Sequence, residues 1–556
     1  MRTSTNGHGQ SPGRSVYPAR YSAAELFRRG LVSEAWPPAW QQQPMKGSYD
    51  VVIVGGGVHG LAAAYYLATN HGITDVAVLD KGYMGSGGSG RNTAILRSNY
   101  LTPEGVRFYD RSVQLYRTLA TDLDYNVMFS QRGHLTLAHS DASLRTMRWR
   151  AEVNKVEGVD SEVIGPAEIK RLAPFLDVSP AARYPIMGAL WHPPGGIIRH
   201  DAVVWGYARG ASARGVHIHQ NTEVTGIDVA GGRVRGVRTS KGDIATGVVL
   251  NATAGWSTLI SDMAGVSMPV MTSPLQAAVT EPVKPFLSTV IVSGTLHVYI
   301  SQTDRGELVF GASVDPFTSY SMRGSLEFIE GLAGHVLELM PALTKVRLLR
   351  QWAGLCDMTP DFSPIMGKTP VDGFLVDVGW APTGSRPARC RERPWRSASP
   401  PARPPTSSPR SAWSGSARER WWARRARPPS ATDCERSPMI LLPCPWCGPR
   451  VATEFAHIGE VSARPDPGSA TPAEWRGYLY LRANPCGWTR ETWYHRAGCR
   501  RYITVERHTE TNEVRSATPA GMTEVPGKAA GVAEVPAGQA GARAGEAEIP
   551  AGGPAR

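Results

Sequence analysis

Residues 50–60 read DVVIVGGGVHG, a string that commits this part of the chain to one tight turn between a buried strand and a helix. After Asp50 come four apolar residues bounded by glycines, as in a parallel strand covered on both faces. Gly55, Gly57 and Gly60 have the G-x-G-x-x-G spacing, and LAAAYYLAT continues as a helix former. In such a turn the first glycine allows the bend and the second lets main-chain N–H groups approach a pyrophosphate. The third lets helix pack on strand. Val58 and His59 stand between them; His59 is placed by its backbone, with a side chain that packs. The spacing alone is weak evidence. A second apolar strand at 76–79, however, ends in Asp80, 25 residues after Gly55. A carboxylate there can accept hydrogen bonds from a ribose 2′-hydroxyl, which suits an unphosphorylated adenine dinucleotide. The competing reading is a glycine-rich turn without a ligand.

The segment from Lys81, KGYMGSGGSGRNTAILRSN, is rich in glycine and serine and runs through Arg91, Asn92 and Thr93. It suits a ligand whose second half, a flavin with its ribityl phosphate, extends away from the first turn, and so narrows the cofactor from nicotinamide to flavin. Residues 248–256, VVLNATAGW, have the pattern of another buried strand ending in small residues.

Together with QWAGLCDMTPDFSPIMGKTPVDGFLVDVGW at 351–380, these segments resemble the D-amino-acid-oxidase-like group of FAD amine oxidases, and within it the beta-subunit family of heterotetrameric sarcosine oxidases. The likeness runs almost without gaps over residues 49–380, through YYLATNHGITDVAVLDKG, RSNYL, MFSQRGHLTLAH and HVYISQTDRGELVFGA. It implies an α/β (α+β) fold: a Rossmann-type FAD-binding domain drawn from about residues 49–100, 200–260 and 350–380, with an antiparallel-sheet substrate domain between. FAD would be bound non-covalently, with Val224 on the strand whose backbone meets adenine.

Two side chains change meaning with the resemblance. Read locally, His200 in GGIIRHDAVVWGYARGA is the residue before Asp201, a good N-cap for the helix that follows. The family's histidine at this place instead attaches covalently to the 8α-methyl of FMN, so a second flavin is expected on His200. Arg97, read locally, is either a surface arginine in an ion pair or a planar fork for a substrate carboxylate. The resemblance implies the second, shared with a lysine that has no counterpart here, because Ser385 and Arg386 follow a different text. The implied reaction is oxidation of sarcosine, or a related N-methyl amino acid, to glycine and formaldehyde (or its folate adduct) with peroxide. Alpha and gamma subunits complete the enzyme. The missing lysine leaves a second reading open, a catalytically impaired remnant that only binds flavin, zinc and its partners.

Charge enters at the break after Trp380. The net charge is +12, but residues 381–438 hold 13 Arg and no Lys against Glu392, Glu419, Asp433 and Glu435, which is 13 − 4 = +9. That segment contains no Val, Ile, Leu, Phe or Tyr and is expected to be disordered. Its Arg/Pro/Ala/Ser vocabulary is that of a GC-rich coding sequence read out of frame, so a frameshift near Trp380 is expected; a natural arginine-rich linker is the alternative. Binding of nucleic acid by this run is set aside, since basic runs are usually solvated. No stretch approaches the length of a membrane span, residues 1–48 form a polar extension, and seven cysteines are an odd number, so a cytoplasmic protein without a disulfide framework is expected.

At Met439 the composition becomes protein-like again. Cys444 and Cys447 form C-x-x-C, and His495 and Cys499 form H-x-x-x-C 48 residues beyond Cys447. Two such pairs give a closed Cys₃His site of a structural kind, with a redox C-x-x-C as the competitor. Residues 439–516 resemble the small delta subunit of the same oxidases, through CPWCGPR, EWRGYLYLRANP and HRAGC, and the resemblance implies structural zinc on those four residues. Cys356, Cys390, Cys434 and Cys486 match no ligand position. Residues 517–556, with Glu-Val-Pro repeats among Ala and Gly, read as a flexible tail.

Overall fold

The computed structural model describes residues 23–32, 39–380 and 440–521. The 381–438 segment with its expected disorder and frameshift, most of the 1–48 extension and nearly all of the tail beyond 521 lie outside the described residues.

Val51–Val54 lies within a six-stranded sheet ordered Ile365–Lys368, Phe374–Val378, Val249–Asn251, Val51–Val54, Val76–Leu79, His217–His219. Its two neighbours run parallel to it, Ile53 pairing with Leu250 on one side and Val78 on the other. All four of its residues are buried, and this is why the run reads as continuously apolar. Helix Val58–His71 covers one face and packs on helix His200–Ser212 through Tyr65, Tyr66 and Tyr207. The helix ends at Gly72, which takes the left-handed conformation at φ 66° and donates to the Leu67 carbonyl. The other face is closed by a three-stranded antiparallel sheet, Val224–Ala230, Arg233–Thr239 and Gly242–Ala245, whose Ile227, Val237 and Ile244 join Val52 and Val54 in one core.

The substrate-domain sheet has eight strands, ordered Leu348–Met358, Met271–Pro282, Glu307–Val314, Val298–Gln302, Val290–Ser293, His134–Ala138, Gly188–His192, Glu162–Ile164. The sheet was expected to be antiparallel and is so except in one place: Val290–Ser293 runs parallel to His134–Ala138. Parallel neighbours need a long crossover, and the chain between these two strands supplies it. Leu135, Ile291, Ile300, Leu308 and Phe310 pack under helix Leu326–Leu339 through Leu332 and Val336.

The C-terminal module is a hairpin, Leu441–Cys444 with Gly448–Val451, beside a four-stranded antiparallel sheet of Ala456–Glu460, Trp488–Tyr494, Tyr502–His508 and Val514–Pro519. Leu442, Phe455, Trp493, Ile503 and Val505 form its core. Its last strand reaches Pro519, three residues past position 516. The module lies against the segment that follows strand Glu307–Val314: the Thr509 carbonyl accepts from Tyr320 N (2.8 Å) and Ser319 Oγ (2.7 Å), and Arg507 Nη2 donates to the Thr318 carbonyl at 2.6 Å. Among the described residues no helix is long and apolar enough to cross a membrane.

Candidate functional site

A cavity of about 780 Å³ opens where the parallel strands end, with Val54, Leu79 and Ala252 in its wall. The carboxyl edge of a parallel sheet is where open α/β folds take their ligands, and the volume is that of a cofactor pocket. Two glycines of the turn cannot be replaced freely. Gly55 sits at φ 110°, and a Cβ on it would meet the Ala252 carbonyl oxygen at 2.5 Å. A Cβ on Gly60 would lie 2.0 Å from the Gly55 carbonyl oxygen, so the helix can close on the strand only without one. Gly57 caps helix Val58–His71 with no side chain, and the Val58 N–H donates to Ser89 Oγ at 3.0 Å.

Asp80 follows Val76–Leu79 and accepts from Gly56 N and Gly82 N, both at 2.8 Å. Burial pushes its carboxyl above the usual range against the pull of these bonds. With Gly56, Gly82 and Ser86 as donors, the carboxylate keeps a further lone pair for a ribose hydroxyl. The Lys81 ammonium lies 4.3 Å from the Trp256 ring. The glycine–serine loop is stiffened from within: Asn92 Nδ2 donates to the Ser89 carbonyl at 2.6 Å and its Oδ1 accepts from Ala94 N at 2.7 Å. The Arg91 carbonyl accepts from Trp352 Nε1 at 2.8 Å, which ties the loop to strand Leu348–Met358. Gly55, Gly57, His59, Asp80, Lys81, Arg91, Asn92, Thr93, Arg97 and Val224 all line this cavity. Val58 and Gly60 are buried at the head of the helix and do not line it.

At one end of the cavity His59 Nδ1 meets Asp377 Oδ2 at 3.3 Å and its ring packs on Trp380, with centroids 4.7 Å apart. Trp380 Nε1 donates to Asp377 Oδ1 at 3.0 Å, and the Gly379 N–H donates to Asp357 Oδ2 at 2.5 Å. Asp357, wholly buried, is pushed up to about 6 by that burial. The His59 side chain therefore packs, as the sequence suggests, but it is also hydrogen-bonded to a buried acid that the sequence reading missed.

Another part of the wall is cationic. Arg97 Nη1 donates to the Asn99 carbonyl (3.2 Å) and Oδ1 (3.0 Å), and its guanidinium lies 4.3 Å over the Tyr100 ring. Arg150 Nη2 reaches the same Asn99 Oδ1 at 3.3 Å; burial first, and the charge of Arg97 second, bring Arg150 down to about 9. Behind them His192 accepts from Ser98 N at 3.1 Å through Nε2 and places Nδ1 2.8 Å from the Asp160 carbonyl. Burial, with the Arg97 and Arg150 charges, brings it down to about 4, so it is neutral near pH 7. Of the two only Arg97 lines the cavity, where its guanidinium is suited to a carboxylate, and Arg150 stands behind it on the same asparagine. Arg150 lies 53 positions from Arg97, and nothing local in the sequence links them.

His200 does not line the cavity. It is half-buried as the first residue of helix His200–Ser212, the Gly90 carbonyl hydrogen-bonds its ring, and burial holds its pKa below the ordinary value. The expected N-cap role of Asp201 is corrected. Arg199 is the N-cap residue, without a side-chain cap, and Asp201 lies in the first turn. Arg199 occupies its carboxylate from Nε (2.9 Å) and Nη2 (2.5 Å), and the chain turns into the helix two residues earlier than capping by Asp201 would need.

In the C-terminal module the Cys444, Cys447, His495 and Cys499 ligand atoms lie within 4.8 Å of one another. Cys444 Sγ and Cys499 Sγ are 3.7 Å apart, and Cys499 Sγ is 3.4 Å from His495 Nδ1. Metal bonds of about 2.3 Å to sulfur and about 2.0 Å to nitrogen in a tetrahedron give edges of roughly these lengths. His495 Nε2 faces Glu454 Oε2 at 3.1 Å, which fixes the ring so that Nδ1 is the ligand. Burial opposes ionisation of Cys444, but N–H groups of Trp446 and Cys447, with His495 beside it, bring it down to about 7; burial and the neighbouring sulfurs push Cys499 the other way. One thiolate forms readily and the next waits for a cation. The module also supplies Cys486 to the wall of the large cavity, where no ligand or cofactor residue was expected from the sequence.

Residues 50–387 match the FAD dependent oxidoreductase family, and residues 441–520 match the sarcosine oxidase, delta subunit family. The chain belongs to the FAD dependent oxidoreductase family and is an oxidoreductase subunit. Within that family it groups with sarcosine oxidase beta subunits. It is 49% identical over 362 residues to sarcosine oxidase subunit beta of Rhizobium meliloti (strain 1021), covering 65% of this chain and 87% of that one. Identity to the subunit from Arthrobacter sp is 46% over 345 residues, covering 62% and 85%. Among solved structures, L-proline dehydrogenase from P. horikoshii superposes with a TM-score of 0.59 at 29% identity, covering 62% of this chain and 91% of that one.

Proposed function

We propose that this chain oxidises sarcosine, or a related N-methyl amino acid, with consumption of oxygen and water, to glycine, formaldehyde (or its folate adduct) and peroxide, as a joined beta–delta subunit of a cytoplasmic sarcosine oxidase completed by alpha and gamma subunits. The observation that carries the reading is Arg97, backed by Arg150, in the wall of a cavity built on a dinucleotide turn. FAD, when bound, supplies the hydride-accepting ring. The protein's own residues do the rest. The main chain at Gly55 and Gly57 and the N-terminus of helix Val58–His71 would hold the diphosphate, Asp80 a ribose hydroxyl, Val224 the adenine, and Lys81, Arg91, Asn92 and Thr93 the remainder of the dinucleotide. Arg97 grips the substrate carboxylate, which fixes the amine relative to the ring and keeps water from that end.

His200 is the residue that would carry a covalent FMN. Its imidazole is neutral near pH 7 and hence nucleophilic, and it stands outside the FAD cavity, so the two flavins would occupy separate places. Cys444, Cys447, His495 and Cys499 would hold zinc in a closed, structural site with no open position.

Peroxide release on addition of sarcosine to the full chain with its partner subunits tests the reading. Arg97→Ala is expected to lower kcat/KM for sarcosine by roughly a hundredfold, the loss of a charge-assisted clamp, while FAD stays bound. The remnant reading is favoured by the absent family lysine at Ser385 and Arg386, which lie outside the described residues. A bound flavin that sarcosine does not bleach under anaerobic conditions would decide for it.

A further inference from the structure

We propose that Cys486 of the C-terminal module closes part of the wall of the FAD cavity and is held there by Asn484, so that flavin retention by the first domain depends on the module that holds the metal cluster. The inference rests on the cavity taking FAD, and on neither the substrate nor the second flavin.

Asn484 is fully buried and spends its whole amide on the other domain. Its Oδ1 accepts from Thr272 N at 3.0 Å, and its Nδ2 donates to Thr258 Oγ1 (2.9 Å), Thr272 Oγ1 (2.8 Å) and Tyr320 OH (3.2 Å). Its carbonyl accepts from Tyr320 OH at 2.8 Å, and Thr272 Oγ1 passes its proton bond on to the Gly255 carbonyl at 2.6 Å. Gly255 is flanked by Ala254 and Trp256, both in the cavity wall. A buried network satisfied at every member is costly to break from either side.

The module holds the other face of the same loop. Glu460 accepts from Ala483 N (2.9 Å) and Asn484 N (2.7 Å), and Thr509 Oγ1 donates to the Pro485 carbonyl (2.7 Å) while accepting from Gly487 N (3.0 Å). Cys486, between these fixed points, is the residue that reaches the cavity. From Gly487 the chain enters strand Trp488–Tyr494 and arrives at His495, a member of the cysteine–histidine cluster. That strand is locked to its neighbour by a buried pair, Arg507 donating to both oxygens of Glu491 at 3.0 and 2.7 Å. Asn484 is thus a positioning residue, since neither it nor Thr272 touches the cavity.

Asn484→Gly and Thr272→Val remove the pin from its two sides. Glycine accepts the left-handed backbone at 484, where φ is 46°, and valine replaces the Thr272 hydroxyl without changing its shape. With each protein purified carrying FAD, dilution followed by the return of free-flavin fluorescence gives the release rate. Release at least about tenfold faster in both variants, with metal content unchanged, is the expected result. A rate equal to the parent's in both overturns the proposal. Should a variant not fold, the parent decides alone: mass spectrometry of the Cys486 peptide after brief alkylation is expected to show slower labelling with FAD bound than after its removal, and equal labelling overturns the proposal. A parent that never binds FAD removes the reading of the cavity itself, a failure visible before any variant is made.

Discussion

Gly57 and Gly60 are three residues apart in one turn, yet their replacement should fail in different ways. A Cβ on Gly60 strikes a main-chain oxygen at 2.0 Å, whereas one on Gly57 meets Ser89 Oγ at 2.9 Å, the end of a side chain that can rotate away. Gly60→Ala is therefore expected to cost at least about 2 kcal/mol in urea unfolding, through displacement of helix from strand. Gly57→Ala should unfold close to the parent but bind FAD more weakly, because its methyl lies where the main chain must approach the diphosphate. His192 gives a prediction with a sign. Its folded pKa, about 4, lies below the ordinary value of 6.5, so its contribution is complete above pH 6.5 and is lost as pH falls toward 4. The parent should lose up to about 3 kcal/mol across that window from this group, and His192→Gln should flatten that part of the pH profile. The buried Asp357, pushed up to about 6, works in the opposite sense, gaining stability as pH falls through 6, so only the difference between parent and variant isolates His192.

Among elements, the strands of the nucleotide fold were legible because each buries both faces and so carries an unbroken apolar run: Val51–Val54 and Val76–Leu79 stand where the sequence puts them. The start of helix His200–Ser212 was not, because Asp201 has a stronger partner in Arg199 than in its own helix N-terminus. The parallel pairing of Val290–Ser293 with His134–Ala138 was also hidden, since strand direction leaves no periodic trace. In the C-terminal module the hairpin Leu441–Cys444 with Gly448–Val451 delivers two ligands, and the turn after strand Trp488–Tyr494 delivers the others. Metal removal, or Cys447→Ser, should therefore loosen the whole small sheet. Hydrogen exchange of amides in Tyr502–His508 is expected to accelerate by about tenfold or more on chelation, and unchanged protection would show that the sheet stands without the ion.

In the whole molecule, the dinucleotide turn, the loop at Arg91 to Thr93, Val224 and Arg97 come together in one cavity although 169 positions separate Gly55 from Val224. The turn and the loop could be read in advance because each is a local pattern that carries its own chemistry, whereas Arg97 and Val224 took their roles from the resemblance. Arg150, Asp377, Glu454, Asn484 and Cys486 could not, because each acts on a group far away in the chain and resembles an ordinary polar residue in its own segment. The join between the two domains is the extreme case: its hydrogen bonds link residues more than 140 positions apart. The most direct measurement is the absorbance of purified full-length protein, before and after acid precipitation. A yellow protein that releases about one FAD per chain into the supernatant, any FMN on His200 staying with the precipitate, is the predicted result, with the released FAD lost in Gly60→Ala. A colourless protein that remains colourless after incubation with FAD and its partner subunits would contradict it.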